Sequence, residues 1–80
     1  MRLSELARGL AATIRSVDDV SQPDLIAGRL RELGFEAGEA VRVIAQGPFG
    51  GDPLLIQIGS TQFALRRSEA ARVSVEPASA

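Results

Sequence analysis

Residues 29–53, RLRELGFEAGEAVRVIAQGPFGGDP, decide the fold of this chain. They lead from the end of a helix through Gly34 into an apolar strand, and they finish in a loop rich in glycine and proline. Gly34 occupies the position where a left-handed residue ends helices, and Phe35 directly after it can fold back onto Leu30. We therefore interpret Leu-Gly-Phe as a helix stop that fixes the helix against the strands.

A helix is predicted immediately before this stop, over residues 22–33. Ser21 and Asp24 have the spacing of a capping box, and Pro23 suits the first turn because its missing N–H has no helical partner there. Three apolar residues recur at helical spacing and predict the buried face: Ile26, Leu30 and Leu33. On the flank and on the face toward water we expect Leu25, Arg29, Arg31 and Glu32.

Four segments after the helix alternate apolar and polar residues, as half-buried strands do. Gly59-Ser60 between two of them is the signal of a two-residue hairpin, and residues 47–53 predict a wide hairpin loop. Short strands in so small a chain are best satisfied by closing or nearly closing a barrel, since an open sheet leaves two bare edges. The apolar residues of these strands are Val41, Val43, Leu54, Ile56, Ile58, Phe63, Leu65, Val73 and Val75.

The N-terminal segment permits two interpretations. Leu3, Leu6, Leu10 and Ile14 fit a helical stripe, but Gly9 interrupts it. The alternation around Ile14 is equally that of a strand, so the residues alone leave helix and strand both open.

The composition predicts one small folded domain over residues 1–80, with a frayed tail at residues 76–80. Of the 80 residues 45% are apolar and 24% charged, which is typical of a globular protein. The longest apolar run is too short to cross a bilayer, and we find no signal-peptide pattern at the N-terminus. We therefore expect a cytoplasmic protein with no direct membrane insertion.

The chain has no cysteine and no histidine. This removes thiol nucleophiles, imidazole bases and the two commonest soft metal ligands. Asp18 with Asp19, and Glu36 with Glu39, are the only obvious carboxylate pairs for acid–base chemistry, and both lie in predicted loops where solvated acids are the norm. The glycine-rich loop lacks the Lys-Ser/Thr pair of a phosphate-binding loop and leads into a strand. We expect no enzyme, no metal site and no cofactor.

Two features could bind a macromolecular partner. Phe49 lies at the tip of the glycine-rich loop, where it either folds back as a lid on the barrel or stands exposed as an interface anchor. The second feature is a candidate nucleic-acid patch made of Arg29, Arg31, Arg66 and Arg67. Nine arginines are matched by ten acids, so the formal net charge is −1 and lacks the basic excess of most nucleic-acid-binding domains. No nucleic-acid partner is expected, although a local patch stays an alternative.

The order of these motifs resembles the FeoA family of the bacterial ferrous iron transport system, whose SH3-like domain also ends iron-dependent repressors. The resemblance rests on an L-x-x-L-x-x-G opening, R-L-x-x-L-G-F at residues 29–35, P-x-G-x-D-P at residues 48–53 and A-L-R-R-x-E-A at residues 64–70. It implies a mainly β fold: a small SH3-like β-barrel of about five strands with one α-helix inserted after the first strand. On this ground we place a turn at residues 4–9 and the first strand at residues 10–17. The loop holds one glycine more than the commoner form of the family.

The resemblance also implies a role. Proteins of this family are small cytosolic accessory proteins that associate with the large ferrous iron permease FeoB, through its cytoplasmic GTP-binding region, and are not thought to carry iron themselves. A self-associating module with unpaired strand edges is a further alternative, so a homo-oligomer stays open. The residues that we expect to bind the partner are Pro48, Phe49, Asp52, Pro53, Leu55 and Arg66.

Overall fold

Five strands form one antiparallel sheet, in the order β4-β3-β2-β1-β5, in a computed structural model that describes residues 1–78. The elements are a 3-10 turn at Leu3–Glu5, β1 at Ala11–Val17, helix α1 at Leu25–Glu32, β2 at Ala40–Phe49, β3 at Asp52–Ile58, β4 at Thr61–Leu65, helix α2 at Arg67–Ala70 and β5 at Val73–Pro77. The predicted mainly β fold, with one helix after the first strand, is confirmed. Within residues 1–78, β4 and β5 do not pair, so the sheet does not close; we expected a closed or nearly closed barrel.

The core lies on one face of this sheet, where α1, the N-terminal turn and α2 cover it. Phe35 and Phe63 pack with ring centroids 5.7 Å apart and an interplanar angle of 50°. All of the predicted strand residues lie in this cluster or pack against it, as do Ile14, Leu30 and Leu33. The N-terminal segment and α2 add Leu3, Leu6 and Ala70 to the core.

Helix α1 begins at Leu25, three residues later than predicted. The carboxylate of Asp24 accepts hydrogen bonds from the N–H groups of Ile26 and Ala27, both at 3.1 Å, and so caps the helix itself. Ser21 does not cap the helix; its hydroxyl donates to the carbonyl of Pro23. The predicted capping box is therefore wrong, because Asp24, lying nearer the helix, satisfies the free N–H groups of the first turn.

The end of α1 is the predicted helix stop. Gly34 has φ of 109°, and its N–H donates to the carbonyl of Arg31 at 3.2 Å. The N–H of Phe35 donates to the carbonyl of Leu30 at 3.1 Å. These two bonds define a Schellman motif, and they deliver the ring of Phe35 into the core.

The predicted wide loop between β2 and β3 is a tight turn in the structure. β2 continues through Phe49 and β3 starts at Asp52, so only Gly50 and Gly51 lie between the paired residues. Both glycines have positive φ, 66° and 83°, which is the requirement of a type I′ hairpin turn. The two glycines therefore allow Phe49 and Asp52 to pair across the turn.

The C-terminal segment also differs from the prediction. The strand β5 includes Glu76 and Pro77, which pair with Thr13 and Ala12 of β1. These two residues were predicted to fray, but strand pairing orders them; Ser79 and Ala80 of the predicted tail lie outside the described residues. The short helix α2 lies between β4 and β5.

Candidate partner-binding surface

The hairpin of β2 and β3 presents Phe49 to solvent. The ring is 82% exposed, although phenylalanine is normally among the most buried residue types. Its backbone pairs with Asp52 across the two-glycine turn, so the position of the residue is set by strand pairing. Of the two interpretations of this ring, the structure shows the exposed one.

An apolar row crosses three strands next to this tip. Ala45 of β2 is paired with Leu55 of β3, and Leu55 is paired with Ala64 of β4. Since Leu54 and Ile56 on either side of Leu55 are buried in the core, the row lies on the opposite, outer face of the sheet. Together with Gly47, Pro48 and Pro53, this row forms a groove that we call the apolar groove. Its lining includes Ala45, Gly47, Pro48, Pro53, Leu55 and Ala64.

Arg66 lies at the end of this groove, beside the hairpin tip. A shallow depression is lined by Arg66, Phe49, Asp52 and Pro53 together. Within residues 1–78, no carboxylate lies within 4.0 Å of the Arg66 guanidinium. The structure thus brings all six predicted partner-binding residues to one end of the sheet, where Pro53 belongs to both the groove and the depression.

Asp52 has a structural role at this surface. Its carboxylate accepts a hydrogen bond from the backbone N–H of Arg67 at 3.0 Å. This bond joins the hairpin tip to the first residue of α2. The sequence suggested no such partner for Asp52, because the two residues are fifteen positions apart.

Arg67 is a residue whose role the sequence did not reveal. Its Nη2 donates to the carbonyl of Ser4 at 2.8 Å, and its Nη1 lies 3.4 Å from the carbonyl of Gly51. The guanidinium therefore links the N-terminal turn, the hairpin and α2. It was grouped with the candidate nucleic-acid patch only because it follows Arg66 in sequence.

The candidate nucleic-acid patch is dispersed in the structure. Arg31 forms two hydrogen bonds to the carboxylate of Asp19, at 3.1 and 3.0 Å, and donates to the carbonyl of Val17 at 2.6 Å. Arg67 is occupied as described above. Two of the four arginines thus stabilise the fold, which argues against a continuous phosphate-binding surface.

The other two arginines face a polar cleft between α1 and β4. Arg29 and Arg66 line it, with Glu69 of α2 between them; the Arg29 guanidinium is 3.7 Å from the Glu69 carboxylate. Glu69 also accepts a hydrogen bond from the N–H of Arg66 at 2.9 Å. The remaining lining residues are Ile26, Pro53, Ala64 and Ser68.

Asp18, one of the carboxylates that were considered for catalysis, is held in its charged form. Hydrogen bonds from Arg2 and Ser16 lower the pKa of Asp18. Asp19 pairs with Arg31, 12 positions further along the chain. The shifts at Asp18 and at Asp24 are downward, which is opposite to the raised pKa of a general acid. In the same described part of the chain, no three acidic side chains come together as a candidate metal site.

Asp24 was not considered for catalysis, but its pKa is also lowered. Hydrogen bonds from the N–H groups of Val20 and Ala27, together with the side chain of Arg72, lower its pKa to about 2. The ion pair with Arg72 has an Nε–Oδ2 distance of 3.1 Å and is largely shielded from water. This arrangement stabilises the loop before α1 and has no free face for a substrate.

None of the helices in residues 1–78 is long and apolar enough to span a lipid bilayer.

Comparison with known proteins agrees with this geometry. The fold is that of a small SH3-like protein, with one exposed phenylalanine on a hairpin. The sequence pattern of the FeoA domain matches residues 1–77, and the chain belongs to the FeoA family. No curated protein gives a significant match.

Three solved structures from this family illustrate the similarity. Stenotrophomonas maltophilia FeoA, described as a zinc complex, is 58% identical over 95% of this chain and 89% of its own, with a TM-score of 0.88. The iron(II) transport protein A of Clostridium thermocellum is 34% identical over 96% of this chain and 45% of its own, with a TM-score of 0.82. Chlorobium tepidum FeoA is 30% identical over 99% of this chain and 71% of its own, with a TM-score of 0.82.

The fold also recurs in repressors. A manganese-dependent transcriptional repressor is 19% identical over 98% of this chain and 41% of its own, with a TM-score of 0.81. This similarity concerns the fold alone. It agrees with the SH3-like domain that the sequence resemblance implied.

Proposed function

We propose that this protein is a cytoplasmic accessory protein of bacterial ferrous iron uptake that binds the GTP-binding region of a FeoB-type permease. Membership of the FeoA family supports the link to iron transport. The related Stenotrophomonas maltophilia protein is described as a proposed ferrous iron transport activating factor. The protein acts by binding its partner and not by catalysis.

The exposed ring of Phe49 is the observation that supports a protein partner. An apolar side chain left 82% exposed gains free energy when a partner removes it from water, by about 1.5–3 kcal/mol for full burial. The apolar groove beside it, with Pro48, Pro53 and Leu55, extends the surface that a partner can bury. Because strand pairing holds the hairpin, little conformational entropy is lost on binding.

The test is a titration of the purified cytoplasmic region of the cognate permease into this protein, followed by calorimetry. Phe49→Ala should weaken the affinity by about 30-fold, the effect of a typical interface hot spot. Leu25→Ala is the matched control, because Leu25 is also exposed, at 80%, but belongs to α1 and not to the hairpin. Unchanged affinity for Phe49→Ala would remove the hairpin from the interface.

The wild-type protein provides the second half of the test. We expect it to bind the permease region and to be needed for normal ferrous iron uptake by cells. Absence of binding together with normal iron uptake in a deletion strain would contradict the proposed function.

A further inference from the structure

The two edges of the sheet differ in how they are covered. At the edge formed by β5, the N–H of Val75 donates to the carbonyl of Met1 at 2.8 Å. The backbone of Arg2 forms an isolated antiparallel β-bridge with that of Ser74. The N-terminal residues thus cover the β5 edge. At the opposite edge, formed by β4, no further strand pairs within residues 1–78.

The register of the β3–β4 hairpin identifies the unpaired backbone groups of β4. Gly59 has φ of 58° and Ser60 does not have positive φ, which defines a type II′ turn closed by Ile58 and Thr61. A two-residue turn of this type is closed by a hydrogen-bonded pair, and such pairs alternate along an antiparallel ladder. The N–H and C=O groups of Gln62 and Ala64 therefore point away from β3.

These groups have no protein partner in the described residues. Gln62 and Ala64 are both exposed, and neither backbone bonds to another element within residues 1–78. A strand edge of this kind is a template for pairing with another extended chain. An extended segment would satisfy the outward groups of β4, whereas a docked helix has no free backbone groups to offer them.

The charged residues beside β4 indicate the charge of an extended segment that could bind at this edge. The polar cleft beside β4 has two arginines, Arg29 and Arg66, and a single acid, Glu69. Glu69 is already engaged by the N–H of Arg66 and by Arg29. The cleft thus has a net positive charge next to the apolar groove, and it complements a carboxylate flanked by apolar residues.

We propose that the open edge of β4 binds an extended, acidic segment of the partner protein as an added strand. The segment pairs with Gln62 and Ala64, places apolar side chains at the apolar groove, and places a carboxylate at Arg66 and Arg29. This inference rests on the proposed function, since it names the chemistry of the partner segment that the same surface recognises.

A second copy of this chain is a less suitable occupant. The strand β4 has the sequence Thr-Gln-Phe-Ala-Leu and contains no acid. An edge-to-edge dimer through β4 would therefore bring no carboxylate from that strand to Arg66 and Arg29. The charge of the cleft favours a different, acidic chain.

The first experiment uses a phage-displayed library of linear random peptides as the probe for the immobilised full-length protein. We expect enrichment of peptides that combine aspartate or glutamate with apolar residues at alternating positions. Enrichment of basic or proline-rich peptides, or no enrichment, would overturn the inference.

The enriched peptide then tests the backbone contact. Ala64→Pro removes the outward N–H without removing a bond to β3, and we expect it to weaken binding by roughly three- to tenfold. Ala64→Ser is the matched control, because it keeps the N–H and a small side chain. Gln62→Pro serves the same purpose if Ala64→Pro fails to fold. Unchanged affinity in a folded proline variant would contradict strand addition.

Charge and location are tested on the same peptide. Arg66→Glu should weaken binding by about tenfold, and replacing the acid of the peptide by lysine should restore it. In amide exchange followed by NMR, the peptide should slow exchange at Gln62 and Ala64. Protection confined to other strands would place the peptide elsewhere and overturn the inference.

The permease region separates this inference from the proposed function. If that region binds wild type, Ala64→Pro and Arg66→Glu equally, the edge inference is wrong and the proposed function stands. If it binds none of them while the peptide results hold, the proposed function is wrong and the edge still binds acidic segments. A wild-type dimer that Ala64→Pro abolishes, measured by sedimentation, would make a second copy the occupant and overturn the choice made here.

Discussion

Phe49 and Phe35 are the same residue type in opposite environments. Phe35 follows the Gly34 helix stop and is 1% exposed, in contact with Phe63. Phe49 precedes a two-glycine turn and is 82% exposed. The stability of the fold should therefore depend on one ring and be nearly independent of the other.

This contrast gives the first prediction. Phe35→Ala should lower the free energy of unfolding by about 3–5 kcal/mol, because it leaves a cavity in the core. Phe49→Ala should change it by less than about 1 kcal/mol, because an exposed side chain leaves none. Urea denaturation followed by circular dichroism measures both. A loss above about 2 kcal/mol for Phe49→Ala would mean that the ring packs against the protein in solution.

Asp24 combines three roles in one carboxylate. It accepts from the N–H of Val20 at 2.9 Å, caps α1 through Ile26 and Ala27, and pairs with Arg72 of the segment before β5. These donors all favour the charged form, so they lower the pKa from the ordinary value of 3.8 to about 2. Protonation of this group must therefore destabilise the folded state.

The second prediction follows from the sign of that shift. The contribution of Asp24 to stability should be fully present above pH 3.8 and should be lost as the pH falls toward about 2. Asp24→Asn should be less stable than wild type at pH 7, and the difference should shrink across this window. Thermal unfolding at several pH values tests this. A difference that stays constant down to pH 2 would show that the charge of Asp24 does not stabilise the fold.

Gly47 in β2 and Gly28 in α1 differ in whether there is space for a side chain at their position. Gly47 lies in β2 at an irregularity of the β2–β3 register, where a Cβ would be 2.5 Å from the carbonyl oxygen of Asp52 and 2.7 Å from the nitrogen of Pro53. Gly28 lies inside α1, and a Cβ there would meet no atom within 4 Å. The hairpin needs its glycine, whereas the helix does not.

The third prediction is a matched pair of substitutions. Gly47→Ala should destabilise the protein by about 1–3 kcal/mol, because backbone atoms of β3 must move. Gly28→Ala should stabilise it by about 0.5–1 kcal/mol through the higher helix propensity of alanine. Chemical denaturation of both variants is the measurement. Equal midpoints for the two would contradict the close approach of β2 and β3 at Gly47.

At the scale of the whole molecule, Arg67 connects segments that are distant in sequence. Its guanidinium contacts the carbonyls of Ser4 and Gly51, while its backbone N–H donates to Asp52. The partner-binding hairpin is thereby supported from the N-terminal turn and from α2. The guanidinium of the preceding Arg66 makes no such contact within residues 1–78 and faces the surface.

The fourth prediction compares these neighbouring arginines. Arg67→Ala should lower the free energy of unfolding by about 1–3 kcal/mol, because it removes hydrogen bonds made by a charged group. It should also speed amide exchange in the β2–β3 hairpin. Arg66→Ala should leave stability within about 0.5 kcal/mol of wild type, since it is a surface substitution. If Arg66→Ala destabilised the protein and Arg67→Ala did not, Arg66 would be the structural residue and Arg67 the surface residue.

The sequence alone determined the features that depend on neighbouring residues. The Schellman stop at Gly34, the alternation of the strands and the turn at Gly59-Ser60 are each set by local backbone preference, and all were predicted. The strand β1 could not be predicted from local preference, because its periodicity also fits a helix. Only the family resemblance predicted a strand there. The start of α1 was misplaced because Ser21 and Asp24 are both good caps, and local preference does not choose between them.

Only the tertiary structure decided which surface is free. Ser4 and Arg67 are 63 positions apart, so no sequence pattern showed that Arg67 is engaged while Arg66 is not. The exposure of Phe49 likewise depends on the pairing of β2 with β3 up to the tip, and the open edge of β4 depends on the strand order. The physical reason is that local signals choose the elements, whereas long-range packing and pairing choose which groups remain for a partner.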